Sequence, residues 1–400
     1  MAMKQTQTKL FDFSDVGLDF CAGSKNLFPD RFKKMLALGY NEQTVSSVAV
    51  AGNQVTFTYG GTHGYVADRV LKVNAPELLS INDGEFVIDS VTTNTVTMTI
   101  DGAPASIAGN FTTNVASLGW EIVYEQAHIH IYKFKHIDDT DMYARLCFQS
   151  ATTAARPSAV VAIGNAVDLD LGVITSDSFY GDTGNCLTVS STGSGLRWEF
   201  SGYTDRSRDN FTYSQGYSTF GLGRVVGSIY HLAVLCNAAS NQSDGRVNAI
   251  IPFSSEYELL NYPALLANWS IATTSTTLGI SSLSIYRIYI GKIRCSASIG
   301  SDTLDHSVAA SSYLPSEIDG FDTTTLRPLL IYTNAEKQFI GVLEDVYQAM
   351  YANATAPSVS SGTMPNLTKT TDLLTDVVTH HVSNGTTQRA WLSFPIERVK

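Results

Sequence analysis

The strongest constraint on this chain is a period-two alternation of apolar and polar residues between closely spaced turn residues. Gln54-Val-Thr-Phe-Thr-Tyr places Val55, Phe57 and Tyr59 on one face and Gln54, Thr56 and Thr58 on the other. Successive side chains of a strand point to opposite faces, so this pattern predicts a half-buried strand. Gly52-Asn53 precedes it and Gly60-Gly61 breaks it. Thr95-Val-Thr-Met-Thr-Ile repeats the alternation and is closed by the hairpin dipeptide Asp101-Gly102. Between the two lie Asp68-Arg-Val-Leu-Lys-Val, the turn Asn82-Asp-Gly and Glu85-Phe-Val-Ile. Residues 44–118 therefore read as a small antiparallel β module.

Strand text continues downstream in Trp120 to Tyr124, His128 to Phe134, Met142 to Phe148, Leu196 to Phe200, Ile229 to Leu235 and Ile285 to Ile293. Turn signals fall between them at Gly172, Gly181-Asp182, Ser194-Gly195 and Asp244-Gly245. The fold class expected is mainly β, with several antiparallel sandwich- or barrel-like modules and few short helices. Two helices are expected. Pro29 to Gly39 has proline at a favourable first turn and glycine at the end. Gln338 to Ala352 repeats Phe339, Val342, Val346, Ala349 and Met350 at three- and four-residue steps. The organisation that follows is an N-terminal arm with a short helix (1–43), the small β module (44–118), a main sandwich-like domain with the late helix (119–352), and a Ser/Thr-rich linker with a C-terminal segment (353–400). Phe11, Phe13, Leu18 and Phe20 make the arm aromatic, suited to docking on a neighbour or on its own domain.

Only 16% of the residues are charged, against roughly 25% in an ordinary soluble domain. Ser, Thr, Asn and Gly take their place, which suits strands, turns and surfaces covered by other subunits. The net charge of −11 argues against wrapping nucleic acid, which needs Lys and Arg against phosphate. Cys21, Cys147, Cys186, Cys236 and Cys295 include no CxxC pair, so they read as isolated buried thiols in a reducing compartment. No run approaches the ~18 apolar residues of a membrane helix, and Met1 to Phe13 has no apolar core of a signal peptide.

Each candidate site has a plain structural reading beside the chemical one. His128 and His130 share a strand face but lack a third metal ligand at diagnostic spacing, and His380-His381 point apart. Asp138-Asp139-Thr140-Asp141 offers oxygen ligands for calcium yet lacks the glycine and closing glutamate of a calcium loop. Asp168 and Asp170 also share a face, as paired acid/base carboxylates would. GxSxG, HExxH, GxxxxGK[ST] and GxGxxG are absent, and Gly221-Leu-Gly223 is only a fragment. No catalytic residue, cofactor or metal is assigned. The aromatic run Tyr203, Phe211, Tyr213, Tyr217 and Phe220 reads first as core, second as an interface and third as a glycan-binding surface.

The segment 44–102 resembles a module of tailed-bacteriophage virion proteins. The likeness rests on Gln54-Val-Thr-Phe-Thr-Tyr, the His63-Gly64 step, Asp68-Arg-Val-Leu, Asn82-Asp-Gly-Glu-Phe-Val-Ile and Thr95-Val-Thr-Met-Thr. More faintly, Leu196-Arg-Trp-Glu-Phe-Ser-Gly, Phe220-Gly-Leu-Gly, Ile229-Tyr-His-Leu, Arg327-Pro-Leu-Leu-Ile-Tyr and Gly341 to Tyr347 are similar to phage tail-associated β proteins. The resemblance implies a small sandwich or barrel attached to tail, neck or baseplate, and no inherited catalytic residue. The function expected is a non-enzymatic structural subunit of a tail, assembled in the host cytoplasm into the virion. Its partners would be its own copies and other virion proteins, without nucleic acid or membrane insertion. Two alternatives stand beside it: a glycan-binding adhesive fibre module using the aromatics of 203–230, Tyr230 included, and a polysaccharide-degrading enzyme using Asp168, Asp170 or the 138–141 cluster.

Overall fold

The computed structural model describes residues 8–76, 81–149, 156–176, 184–189, 196–238, 245–268, 286–297, 325–350, 358, 360, 362–369, 375–383 and 389–396. Of these, 51% lie in strands and 9% in helices, so the chain is mainly β. The turn signals Gly181-Asp182 and Ser194-Gly195, and nine of the nineteen residues of the expected linker 353–371, lie outside the described residues.

The first strand, β1 (Lys9–Asp12), leads through an aromatic segment into α1 (Phe28–Lys33), which continues as a wider π-type turn to Leu38. Pro29 sits in the first turn, and Gly39 at φ 76° stops the helix in a conformation most side chains avoid. Six strands follow: β2 (Tyr40–Ala51), β3 (Gln54–Tyr59), β4 (Val70–Asn74), β5 (Glu85–Val91), β6 (Thr95–Thr99) and β7 (Phe111–Val115). They close into a barrel in the order β2-β3-β6-β5-β4-β7. Closure leaves no free edge. The long strand β2 serves both β3 and β7 because its register shifts between Tyr40 and Gln43 and again between Val45 and Ser47. Such bulges bend a strand and increase its twist, as a barrel corner requires. Val55, Phe57, Leu71, Phe86, Val96 and Met98 fill the interior.

The second sheet comprises β8 (Glu121–Gln126), β9 (Ile129–Lys135), β10 (Asp141–Phe148), β11 (Ser158–Gly164) and, after a small hairpin of β12 (Val167–Asp168) and β13 (Val173–Ile174), β14 (Leu196–Glu199). Its order is β14-β11-β10-β9-β8. The remainder begins with α2 (Tyr213–Phe220), β15 (Gly223–Gly227), β16 (Leu232–Asn237), β17 (Gly245–Ile251), β18 (Phe253–Ser254) and β19 (Ala264–Asn268). It continues through β20 (Tyr286–Ile290), β21 (Ile293–Ser296), β22 (Thr325–Thr333), β23 (Phe339–Met350), β24 (Asn366–Lys369), β25 (Asp376–Ser383) and β26 (Arg389–Ile396). With β1 these strands form one 13-stranded sheet, ordered β1-β15-β16-β17-β19-β20-β21-β22-β23-β26-β25-β24, with β18 beside β23. The sheet curls until β25 lies against β17, where His380 Nε2 donates to the Cys236 carbonyl at 2.9 Å.

Both faces of this sheet are covered along β15, β16 and β17. Along β16, Leu232, Val234 and Cys236 join a core with Phe11, Phe28, Phe32 and Trp198, while Ala233 and Leu235 join a second core inside the curl. A strand buried on both sides reads as a continuous apolar run rather than an alternation. The N-terminal arm lies between the two sheets on the first of these cores. Phe13 and Phe20 stack at 4.1 Å, Phe28 meets Phe200 at 4.7 Å, and Phe32 meets Phe148 at 5.3 Å. The aromatic arm therefore packs on its own chain. Buried or half-buried ion pairs tie it down, among them Lys9 to Glu85 and Asp15 to Arg69 of the barrel, Lys25 to Asp209, and Asp12 to Arg224 of β15.

The helix expected over Gln338–Ala352 is a strand, β23. Its register against β22 jumps from Pro328↔Tyr347 to Leu329↔Leu343, and from Ile331↔Gly341 to Tyr332↔Phe339. Residues 344–346 and Ile340 are thus inserted without partners on β22, and Asp345 takes φ 55°. Inserted residues stretch a two-residue period into steps of three and four, which mimics a helical stripe. A second correction concerns the expected linker, because β24 lies within 353–371 and pairs with β25. No helix among the described residues is long and apolar enough to cross a membrane.

Candidate interaction surface

The sequence-predicted aromatic set lies where residues 203–220 clasp the N-terminal arm. Asp205 caps a short 3-10 turn over Arg206–Arg208, accepting from the Ser207 amide at 2.9 Å. Thr212 then caps α2 in a reciprocal capping box with Gln215. Gly221, at φ 68°, ends the helix. The clasp is fastened by Ser24 Oγ donating to the Phe211 carbonyl at 2.6 Å and by the Tyr213 amide donating to Asp19 Oδ1 at 3.0 Å. Gly216 faces Cys21 so closely that a Cβ there would overlap the thiol.

This arrangement divides the five aromatics. Phe220 is core, 1% exposed, with Tyr203 edge-on at 5.5 Å. Tyr203, Phe211 and Tyr213 are half-buried against the same core. Tyr217 alone is open, 39% exposed, and its ring lies 5.5 Å from that of Tyr213 one helical turn earlier. The Arg208 guanidinium covers the Tyr203 ring at 4.1 Å. Burial raises the Tyr213 phenol well above its ordinary range, so it stays a neutral donor. What reaches solvent is a two-ring platform, Tyr213 and Tyr217, rimmed by Ser214, Gln215 and Ser218.

The other candidates are distributed through the scaffold. His128 Nε2 donates to the Leu187 carbonyl at 2.8 Å, while His130 is buried and hydrogen-bonded to the Tyr132 hydroxyl at 2.8 Å. Desolvation holds the His130 imidazole down to about 4. His380 is likewise buried and held down to about 4 by burial. In the 138–141 cluster Asp138 Oδ1 accepts from the Thr140 amide and hydroxyl, shaping the tight turn between β9 and β10. These bonds keep its carboxyl well below the usual carboxylate range. Asp168 Oδ1 accepts from the amides of Asp170 and Leu171, capping the small hairpin. Among the described residues no three His, Cys, Asp or Glu side chains are grouped to hold a metal ion.

Two features escape the sequence. An open cleft of about 270 Å³ lies beside the 138–141 turn, lined by Ile137, Ser254, Tyr257 and Asn261 among others. Asn261 Nδ2 donates to Asp138 Oδ2 at 2.7 Å, and Gln338 Nε2 donates to the Tyr257 hydroxyl at 3.0 Å. Ile137, Tyr257 and Phe339 each stand 47% exposed around these residues. The second feature is a thiol pair. Cys186, on the segment 184–189, packs against Cys147 of β10, and the two side chains are hydrogen-bonded. The cysteines expected as isolated thiols thus include one adjacent pair, which no spacing rule would have found. No protein-family model and no curated protein sequence matches this chain.

Proposed function

We propose that the chain is a non-enzymatic structural subunit of a bacteriophage tail, in the baseplate or neck region, acting through assembly contacts in the virion. The observation that carries the reading is the closed barrel of 40–115, because the motifs resembling virion proteins supply four of its six strands, β3, β4, β5 and β6. The His63-Gly64 step also has a physical role in that barrel. His63 is 2% exposed and bonded to the Thr95 carbonyl at 3.1 Å, and Gly64 at φ 73° lets the chain pass under Val16. The exposed trio Ile137, Tyr257 and Phe339 supports contact with copies of the chain or with other virion proteins. Light scattering after size exclusion, on the chain alone and with particle extract, tests the reading. Entry into a ring or tail-sized assembly is expected. A stable monomer that stays out of particles would overturn it.

A second reading rests on the Tyr213–Tyr217 platform, since an open ring beside a half-buried one at 5.5 Å offers an aromatic face to a sugar. Glycan-array binding that is lost in Tyr217→Ala would favour it over the assembly role.

A further inference from the structure

We infer that Cys147 and Cys186 form a redox-reactive pair that a peroxide closes to a disulfide, pinning the segment 184–189 to β10. The observation is geometric and independent of the assembly role. Cys147 lies on a central strand of the second sheet and is closed to solvent, whereas Cys186 is half-exposed. They meet in one cluster with Ile129, Val160 and Val189.

The segment that carries Cys186 is held in place by side chains. Arg145, itself closed to solvent, donates from Nη1 to the Gly184 carbonyl at 3.2 Å and from Nη2 to the Cys186 carbonyl at 2.9 Å. Its Nε donates to the Gly172 carbonyl at 2.8 Å. The Asn185 side chain exchanges hydrogen bonds with the amide and carbonyl of Ile174 at 2.9 and 2.8 Å. His128 adds its bond to the Leu187 carbonyl. Among the described residues the Arg145 guanidinium is held by backbone carbonyls, and its charge lies beside the two sulfurs. A cation fixed next to a thiol favours the thiolate, the reactive form.

The roles within the pair follow from exposure and charge. The shared hydrogen bond from Cys147, reinforced by Arg145, lowers the half-exposed Cys186 thiol, and the same bond together with burial raises that of Cys147. Cys186 is therefore the attacking thiolate and Cys147 the resolving thiol. The Cys186 sulfur displaces hydroxide from hydrogen peroxide, becoming a sulfenic acid while the peroxide is reduced to water. The Cys147 sulfur then attacks that sulfenic sulfur, losing its proton and expelling a second water as the S–S bond forms. Two thiols and one peroxide give one disulfide and two waters.

The experiment treats the purified chain with hydrogen peroxide at pH 8, alkylates under denaturing conditions and maps the peptides. Expected are the loss of two of the five alkylation sites and a peptide joining Cys147 to Cys186 within one chain. In Cys147→Ser the sulfenic acid on Cys186 persists and is captured by dimedone. In the untreated protein Cys186 is expected to alkylate at least about tenfold faster than any other cysteine, with the rate rising through pH 7. Five alkylated cysteines after peroxide, or a link only between Cys186 residues of two chains, would overturn the assignment. The wild-type peptide map decides the matter even where a variant folds poorly.

Discussion

The bond between Asp15 and Arg69 is the sharpest place to test how the arm is held to the barrel. Asp15 accepts from Arg69 Nε at 2.8 Å, Arg69 Nη2 at 2.9 Å, the Tyr40 hydroxyl at 2.8 Å and the Asp12 amide at 3.0 Å. The side chains are 5% and 7% exposed. Asp15→Asn keeps the shape but removes the charge and turns a donor toward the guanidinium. Breaking a buried pair on one side leaves a charge without compensation, a loss of about 3 to 5 kcal/mol. Lys72 and Asp83 also pair, at 3.4 Å, but are 37% and 69% exposed. Asp83→Asn should therefore cost less than about 1 kcal/mol. Urea unfolding followed by far-UV circular dichroism and tryptophan fluorescence separates the two, with a midpoint drop of roughly 1 to 2 M expected for Asp15→Asn and almost none for Asp83→Asn. Asp15→Leu combined with Arg69→Met should recover part of the loss, because no charge is then stranded while the buried Tyr40 hydroxyl and Asp12 amide still lose their acceptor. Equal midpoints for Asp15→Asn and Asp83→Asn would refute the reasoning.

Other predictions follow from single contacts. The imidazoles of His130 and His380 sit at about 4, below their ordinary 6.5, so the folded chain takes up protons less readily than the unfolded one. Their stabilisation is complete above pH 6.5 and is lost as pH falls toward 4, by roughly 3 kcal/mol for each. Urea midpoints measured from pH 7.5 to 4.5 should show that decline, and it should be shallower in the His130→Gln, His380→Gln double variant, where buried His136 and His231 still contribute. Trp198, closed to solvent, donates to the Leu266 carbonyl at 2.9 Å and joins the second sheet to the large one. Trp198→Phe strands that carbonyl and opens a void, for a loss of about 2 to 4 kcal/mol in the same assay. Gly216→Ala should lower thermal stability, although alanine gains about 1 kcal/mol in an isolated helix. The added Cβ runs into Cys21, and overpacking outweighs propensity.

The barrel was legible because its strands are half-buried. In Gln54–Tyr59 and Thr95–Thr99 each face meets a different medium, and the alternation records which is which. Where both sides of a strand are covered, as in Leu232–Asn237, the record becomes a plain apolar run with less positional information. Where bulges insert residues, as in β23, the record is misleading, and the helix read over Gln338–Ala352 is the result. The 203–220 aromatics were recognisable as a group, yet their separation into one core ring, three half-buried rings and one open ring depends on the arm arriving beneath them. Arg145 and the thiol pair carry no local signature, since each is defined by neighbours distant in sequence.

The pairing of Lys9–Asp12 with Arg224–Gly227 has a consequence for how the chain is made. At ordinary rates of synthesis the roughly 200 residues between these strands take about 10 to 40 s to leave the ribosome. Through that interval β1 lacks the strand it pairs with, whereas the barrel finds all its strand partners between Tyr40 and Val115. The barrel is thus complete while the arm is still searching. Every copy offers an identical seat beside β15, so neighbouring nascent chains can trade arms without losing a contact. An arm whose partner strand is made so late is open to exchange on the polysome until its own β15 emerges.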